Sequence, residues 1–169
     1  FSVVRYGNVL GSRGSVIPLW DRKIQNKQSL PITHPKMTRF MLTLSQAIQL
    51  VFYALKNSKG GEIFVKKSPA ANIVDLAKAY AELITKNNNY PVEFIGIRSG
   101  EKIDEVLISQ EEMRHTKEEE GHFVIEKELD FDNRYLDKSV DLPEYTSSST
   151  KNLTIEELKE LMSNLDWVQ

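Results

Sequence analysis

The chain has 169 residues, of which 40% are hydrophobic and 27% charged, with a formal net charge of -2, which suffices for one globular domain with a core. That balance gives no electrostatic reason to expect nucleic acid or an anionic membrane as partner, and no apolar run approaches the roughly 20 residues of a membrane helix. The absence of cysteine excludes disulfides and thiolate chemistry, and His34, His115 and His122 lack metal-binding spacing, so no metal site is expected and the cytoplasm is the default compartment.

Residues 1–9, FSVVRYGNV, are rich in β-branched and aromatic side chains and read as one buried strand. Residues 11–15, GSRGS, break it, and Ser15 is placed to cap a helix with Pro18 in its first turn. Val16, Leu19, Trp20 and Ile24 form the apolar stripe of that helix. A short extended piece at 30–33 and a His34-Pro35 turn precede a second strand over 37–43. Thr43 and Gln46 then form a capping box for a helix to about Lys56. Ala47, Ile48, Val51, Phe52 and Leu55 fit its core face.

After the glycine stop at 59–61 come a strand over 62–66 and a helix over 73–84 carrying Ile73, Leu76, Ala77, Tyr80 and Leu83. A strand over 92–97 follows, and 103–108 reads as short helix or strand. Ser109 and Glu112 make a second capping box. Residues 114–121 read as a solvated charged run, 121–126 as an edge strand and 130–149 as irregular. Thr154 and Glu157 start a terminal helix carrying Leu158, Leu161, Met162 and Leu165. Strands and helices alternate, so the expected class is α/β.

Three constellations carry possible chemistry. Asn8 with the 11–15 loop is the first: a glycine loop entering a helix presents unpaired N–H groups to an anion, and Arg13 adds a full charge. It is neither a GKS/T phosphate loop nor a GxGxxG fingerprint, and glycine turn geometry alone would explain it. The second is Arg39, flanked by strand residues; a sheet-edge ion pair is its plain alternative. The third is Arg98 with Glu101, leaving the C-terminal end of a strand, where ligands of open α/β sheets gather. Arg98 offers a planar fork for phosphate oxygens, and Glu101 can accept from a ribose hydroxyl or cap its own turn. One diphosphate could engage two or three of Arg13, Arg39 and Arg98. No glycine-rich cofactor turn and no Tyr-x-x-x-Lys pair occurs, so no catalytic residue is assigned and the chain alone is expected to show no turnover.

The stretches VVRYGNVLGSRGSVIPLW, ITHPKMTRFMLTLSQA, GGEIFVKKSPAANIVDLAKA and IGIRSGEK resemble the C-terminal half of the polysaccharide-biosynthesis branch of the extended short-chain dehydrogenase/reductases. They are most similar to UDP-N-acetylglucosamine 4,6-dehydratases, including the C5-inverting type, and residues 144–162 resemble the tail of those enzymes. The resemblance implies the C-terminal part of an NAD(P)-binding Rossmann-like fold with its substrate-binding subdomain. Residues 1–30 would be the last Rossmann strand, glycine loop and helix, 31–110 the substrate subdomain, and 111–169 a variable segment and terminal helix. The cofactor-binding half would lie outside the chain. The resemblance further implies NADP or NAD as cofactor, a UDP-sugar as substrate and a homo-oligomeric enzyme. The reaction would take hydride from C4, eliminate water across C5–C6 and return hydride at C6. Tyr6 and Asn8 would lie nearest the nicotinamide. Asn8, Arg13, Gly14, Ser15 and Val16 would hold sugar and phosphates, Arg39 and Arg98 the diphosphate, and Glu101 the ribose. A UDP-sugar 4-epimerase of the same superfamily, or a non-catalytic sugar-nucleotide-binding module, would use the same residues.

Overall fold

The computed structural model describes residues 1–119, 121–127 and 142–164. In chain order the elements are β1 (Val3–Arg5), β2 (Asn8–Val9), α1 (Val16–Gln25), β3 (Leu30–Ile32), β4 (Thr38–Leu42), α2 (Leu44–Asn57), β5 (Ile63–Lys66) and β6 (Ala70–Asn72). They continue with α3 (Ile73–Thr85), β7 (Val92–Phe94), β8 (Val106–Ile108), α4 (Gln110–Met113), β9 (Thr116–Glu119), β10 (His122–Ile125), β11 (Tyr145–Thr146) and α5 (Ile155–Ser163). Part of the irregular stretch read over 130–149, and Leu165 of the terminal helix, lie outside the described residues.

The fold is mixed α/β. One sheet has the order β1-β5-β10-β9, with β1 and β5 parallel and the β10 pairings antiparallel. A second has the order β2-β4-β6, with β2 parallel to β4. β3 pairs with β7 in parallel, and β8 with β11 antiparallel. The main core lies between α1, α3 and α5 and the β3–β4 region, around Ile17, Trp20, Leu30, Ile32, Leu76, Tyr80, Leu158 and Met162. Trp20 anchors this layer by donating from Nε1 to the Pro31 carbonyl at 3.1 Å.

The opening run differs from the single buried strand read in the sequence. It divides between two sheets, and Val3 is 53% exposed. The division falls at Tyr6-Gly7, where the backbone presses against Phe40 of β4; a Cβ on Gly7 would overlap the Phe40 Cβ and sit 3.0 Å from its Cγ. Three further readings change. Residues 116–119 of the charged run form β9, whose backbone pairs with β10 while its side chains stay mostly exposed. β10 is therefore an interior strand between β5 and β9 rather than an edge. In α2 the buried positions are Ala47, Leu50 and Ala54, while Ile48, Val51, Phe52 and Leu55 face outward.

Local signals held where the chemistry is local. Thr43 with Gln46, Ser109 with Glu112, and Thr154 with Glu157 all make reciprocal capping boxes. Ser15 occupies the N-cap of α1 but makes no side-chain capping bond.

Candidate substrate site

The glycine loop after β2 turns the chain into α1 by placing Gly11 and Gly14 at φ 72° and 76°, a region that L side chains rarely adopt. The first turn of α1 thus opens onto a cavity of about 440 Å³. Its N-terminal N–H groups lack intrahelical acceptors, and Pro18 has no N–H to satisfy. The Ser15 hydroxyl is buried and has no hydrogen-bond partner among the described residues. A buried hydroxyl in that condition favours a ligand that supplies the missing bond.

The loop after β7 contributes Ile95, Arg98 and Glu101 to the same lining. Its start is tied to β3 by the Ile95 N–H donating to the Ile32 carbonyl at 2.9 Å. The loop closes on itself: Glu101 Oε2 accepts from the Arg98 N–H at 2.9 Å, and the Glu101 N–H donates to the Arg98 carbonyl at 3.1 Å. Gly100, at φ 85°, makes that turn possible. This arrangement leaves the Arg98 guanidinium without a protein partner among the described residues.

Arg39 is placed differently. Nη1 donates to the carbonyls of Thr38 and Ile103 at 2.7 and 3.0 Å, Nη2 donates to the Lys102 carbonyl at 2.7 Å, and Nε lies 3.4 Å from Glu105. Three of its five N–H groups are therefore committed to carbonyls and a fourth faces a carboxylate. The neighbouring Thr38 hydroxyl bonds to Asp104 and Ser147, and the Ser147 hydroxyl accepts from the Glu105 N–H at 2.9 Å. β4 and the residues after β11 thus clamp segment 102–105, which supports the Arg98–Glu101 turn.

Of the residues singled out in the sequence, Asn8, Gly14, Ser15, Val16, Arg39, Arg98 and Glu101 line this one cavity. Tyr6 and Arg13 are exposed outside its lining. Leu19, Arg22, Thr33 and Ile95 line it as well. A helical signal pointed to two of these: Ser15, Leu19 and Arg22 stand at i, i+4 and i+7, on one face of α1. Thr33 and Ile95 meet only through the β3–β7 pairing, which has no local signature.

Arg5 was also missed. Its guanidinium grips both carboxylate oxygens of Glu112 at 2.8 and 2.9 Å and donates to the Leu107 carbonyl at 2.7 Å, tying β1 to α4. Those bonds hold the Glu112 carboxyl below its usual range, against the opposing effect of burial.

Residues 1–127 match the family described as polysaccharide biosynthesis protein. A protein named UDP-glucose 4-epimerase from Rickettsia felis is 44% identical over 173 residues, covering 99% of this chain and 50% of that protein. Its namesake from Rickettsia bellii is 43% identical over 175 residues, covering 100% of this chain and 51% of the relative. The chain therefore spans about half the length of these curated relatives. Among solved structures, Pen from Bacillus thuringiensis superposes with a TM-score of 0.82 at 38% identity, over 98% of this chain and 49% of that one. A UDP-glucuronic acid 4-epimerase variant from Bacillus cereus, in complex with a UDP-sugar and NAD, shares the fold at a TM-score of 0.51 and 20% identity, over 59% of this chain and 33% of that one. The chain belongs to the polysaccharide biosynthesis protein family, within the extended short-chain dehydrogenase/reductases.

Proposed function

We propose that this chain is the substrate-binding part of a nicotinamide-dependent enzyme that binds a UDP-sugar and oxidises it at C4. The finer assignment is 4,6-dehydration of UDP-N-acetylglucosamine in glycan biosynthesis. One observation carries the reading: the α1 N-terminus and the Ser15 hydroxyl and Arg98 guanidinium, both without a partner among the described residues, share the lining of one cavity with Asn8 and Glu101. An anion and a set of sugar hydroxyls satisfy that combination of donors and acceptors, whereas an apolar ligand does not.

Asn8 and Ser15 would hold the sugar, Gly14 and Val16 would offer backbone to the phosphates, Arg98 would bind the diphosphate, and Glu101 would accept from the ribose. Arg39 would act by holding the loop as well as by lining the cavity. The nicotinamide supplies hydride acceptance and return. Tyr6 and Asn8, at the end of β1 and the start of β2, are the residues of this chain that would border it. The sequence contains no glycine-rich dinucleotide turn, so the remainder of the cofactor site would reside in the half of the fold that the relatives possess beyond this chain's span.

The names of the Rickettsia relatives favour a second reading, 4-epimerisation, which shares oxidation at C4 and diverges afterwards. Incubation of the intact protein with UDP-N-acetylglucosamine and NAD(P), followed by product analysis, separates the two. A 4-keto-6-deoxy product supports the dehydratase. A C4 epimer with no loss of water supports the epimerase. An unchanged sugar with no UDP-sugar binding overturns both.

A further inference from the structure

Three arginines face the cavity, Arg22, Arg39 and Arg98, and they are not equivalent. Arg39 is largely committed to the Thr38, Lys102 and Ile103 carbonyls and to Glu105. Arg22 and Arg98 have no hydrogen bond or ion pair from their guanidinium groups among the described residues. The acid next to Arg22 does not neutralise it, because Asp21 turns toward the core side and accepts from Tyr80 at 3.2 Å and Gln25 at 2.7 Å.

Arg22 lines the cavity from α1. Trp20 is buried away from the cavity, while Ser15, Val16, Ile17, Leu19 and Arg22 of the α1 region line it. Arg22 stands two turns along α1 from Ser15, roughly 10 Å at 1.5 Å per residue. It shares the lining with Pro31 and Thr33 of the β3 segment, while Arg98 enters from the loop after β7. Two guanidinium groups that line one cavity and have no partner among the described residues suit a ligand with more than one anionic oxygen.

We infer that Arg22 is a phosphate-binding residue that acts with Arg98, in the same cavity, to clamp the diphosphate of a nucleoside diphosphate. The inference rests on the proposed UDP-sugar reading and adds a residue to it. Arg22 sits on an exposed helix face, and alanine is the best helix former, so Arg22→Ala retains the fold.

The test is UDP affinity of the intact protein by calorimetry, for wild type, Arg22→Ala, Arg22→Met and Arg22→Lys, at low and high salt. Loss of one charged hydrogen-bonded contact corresponds to about a 10- to 100-fold weaker affinity. The expected result is that loss in Arg22→Ala and Arg22→Met, partial recovery in Arg22→Lys, and a shallower salt dependence in the two uncharged variants. Full affinity in Arg22→Met would show that only the aliphatic stem matters and would overturn the inference. Unchanged affinity in Arg22→Ala, with wild-type UDP binding intact, would overturn it while sparing the UDP-sugar reading. Absence of UDP binding in wild type would overturn that reading and this inference with it.

Discussion

Gly7 lies directly beneath Phe40, so close that the missing Cβ is what lets β1 give way to β2 at that point. Phe40 is fully buried and packs on Tyr145 at a ring separation of 5.1 Å, so it has little room to retreat. Gly7→Ala is expected to cost about 1–3 kcal/mol, the usual range for overpacking a tight core. Because Asn8 follows at once, UDP-sugar affinity should fall as well. Thermal melts and calorimetry check both, and a variant as stable as wild type would show that Phe40 moves aside freely.

That contact explains part of what could and could not be read from the residues. The α/β class, the capping boxes at Thr43 and Ser109, the helix start at Thr154 and most element positions depend on neighbours within four residues and were legible. The turn at Gly7 depends on a residue 33 positions away. Helix α2 shows a different difficulty: Leu44, Ala47, Ile48, Leu50, Val51, Phe52, Tyr53, Ala54 and Leu55 leave almost no polar side to define inward. A stripe through Ile48 and Phe52 and one through Leu50 and Ala54 fit the pattern equally, and only the sheet partner decides. At the site, residue types flagged Arg98 and Arg39 alike. The carbonyls of Lys102 and Ile103, which distinguish them, belong to backbone and carry no sequence signal.

Arg98 supplies a charge with no competing protein acceptor among the described residues, so its loss should be felt by the ligand and little by the fold. Arg98→Ala is expected to weaken UDP binding by about 1–3 kcal/mol, as for a charged hydrogen bond, with the melting temperature nearly unchanged. Calorimetry with UDP reads the first and a thermal melt the second. Unchanged affinity would remove Arg98 from the proposed diphosphate site.

Arg39 should show the opposite balance. Arg39→Ala removes the donor to the exposed Lys102 carbonyl and one of the two donors to the Ile103 carbonyl, and each such hydrogen bond contributes about 0.5–1.5 kcal/mol. Stability is expected to drop, and amide exchange should rise across 101–105 and at the Thr38 N–H, which donates to the Ile103 carbonyl at 3.0 Å. UDP affinity should fall in step as the Arg98–Glu101 turn loosens. A variant that loses UDP binding with exchange across 101–105 unchanged would show that Arg39 acts on the ligand directly and does not hold the loop.

Glu62 makes stability depend on pH in the acid range. Its burial favours the neutral form, yet bonds from its own backbone N–H, the Lys59 N–H, the Ser2 hydroxyl and the Gly60 N–H outweigh that and bring the carboxyl down to about 2. The Lys59 and Gly60 contacts measure 2.9 and 2.8 Å and the Ser2 contact 3.0 Å. In the unfolded chain the same group titrates near ~4.3. The folded value is the lower one, so the ionised form stabilises the fold above the unfolded value. That contribution declines as pH falls below ~4.3 and is gone once the pH has passed below about 2. Glu62→Gln removes the titrating group while keeping an acceptor. At pH 7 it should melt below wild type, and the gap should close as the pH approaches 2. Melts at pH 7, 4 and 2.5 measure the gap, and one that stays constant across them would mean that the carboxylate charge contributes nothing to the turn that precedes β5.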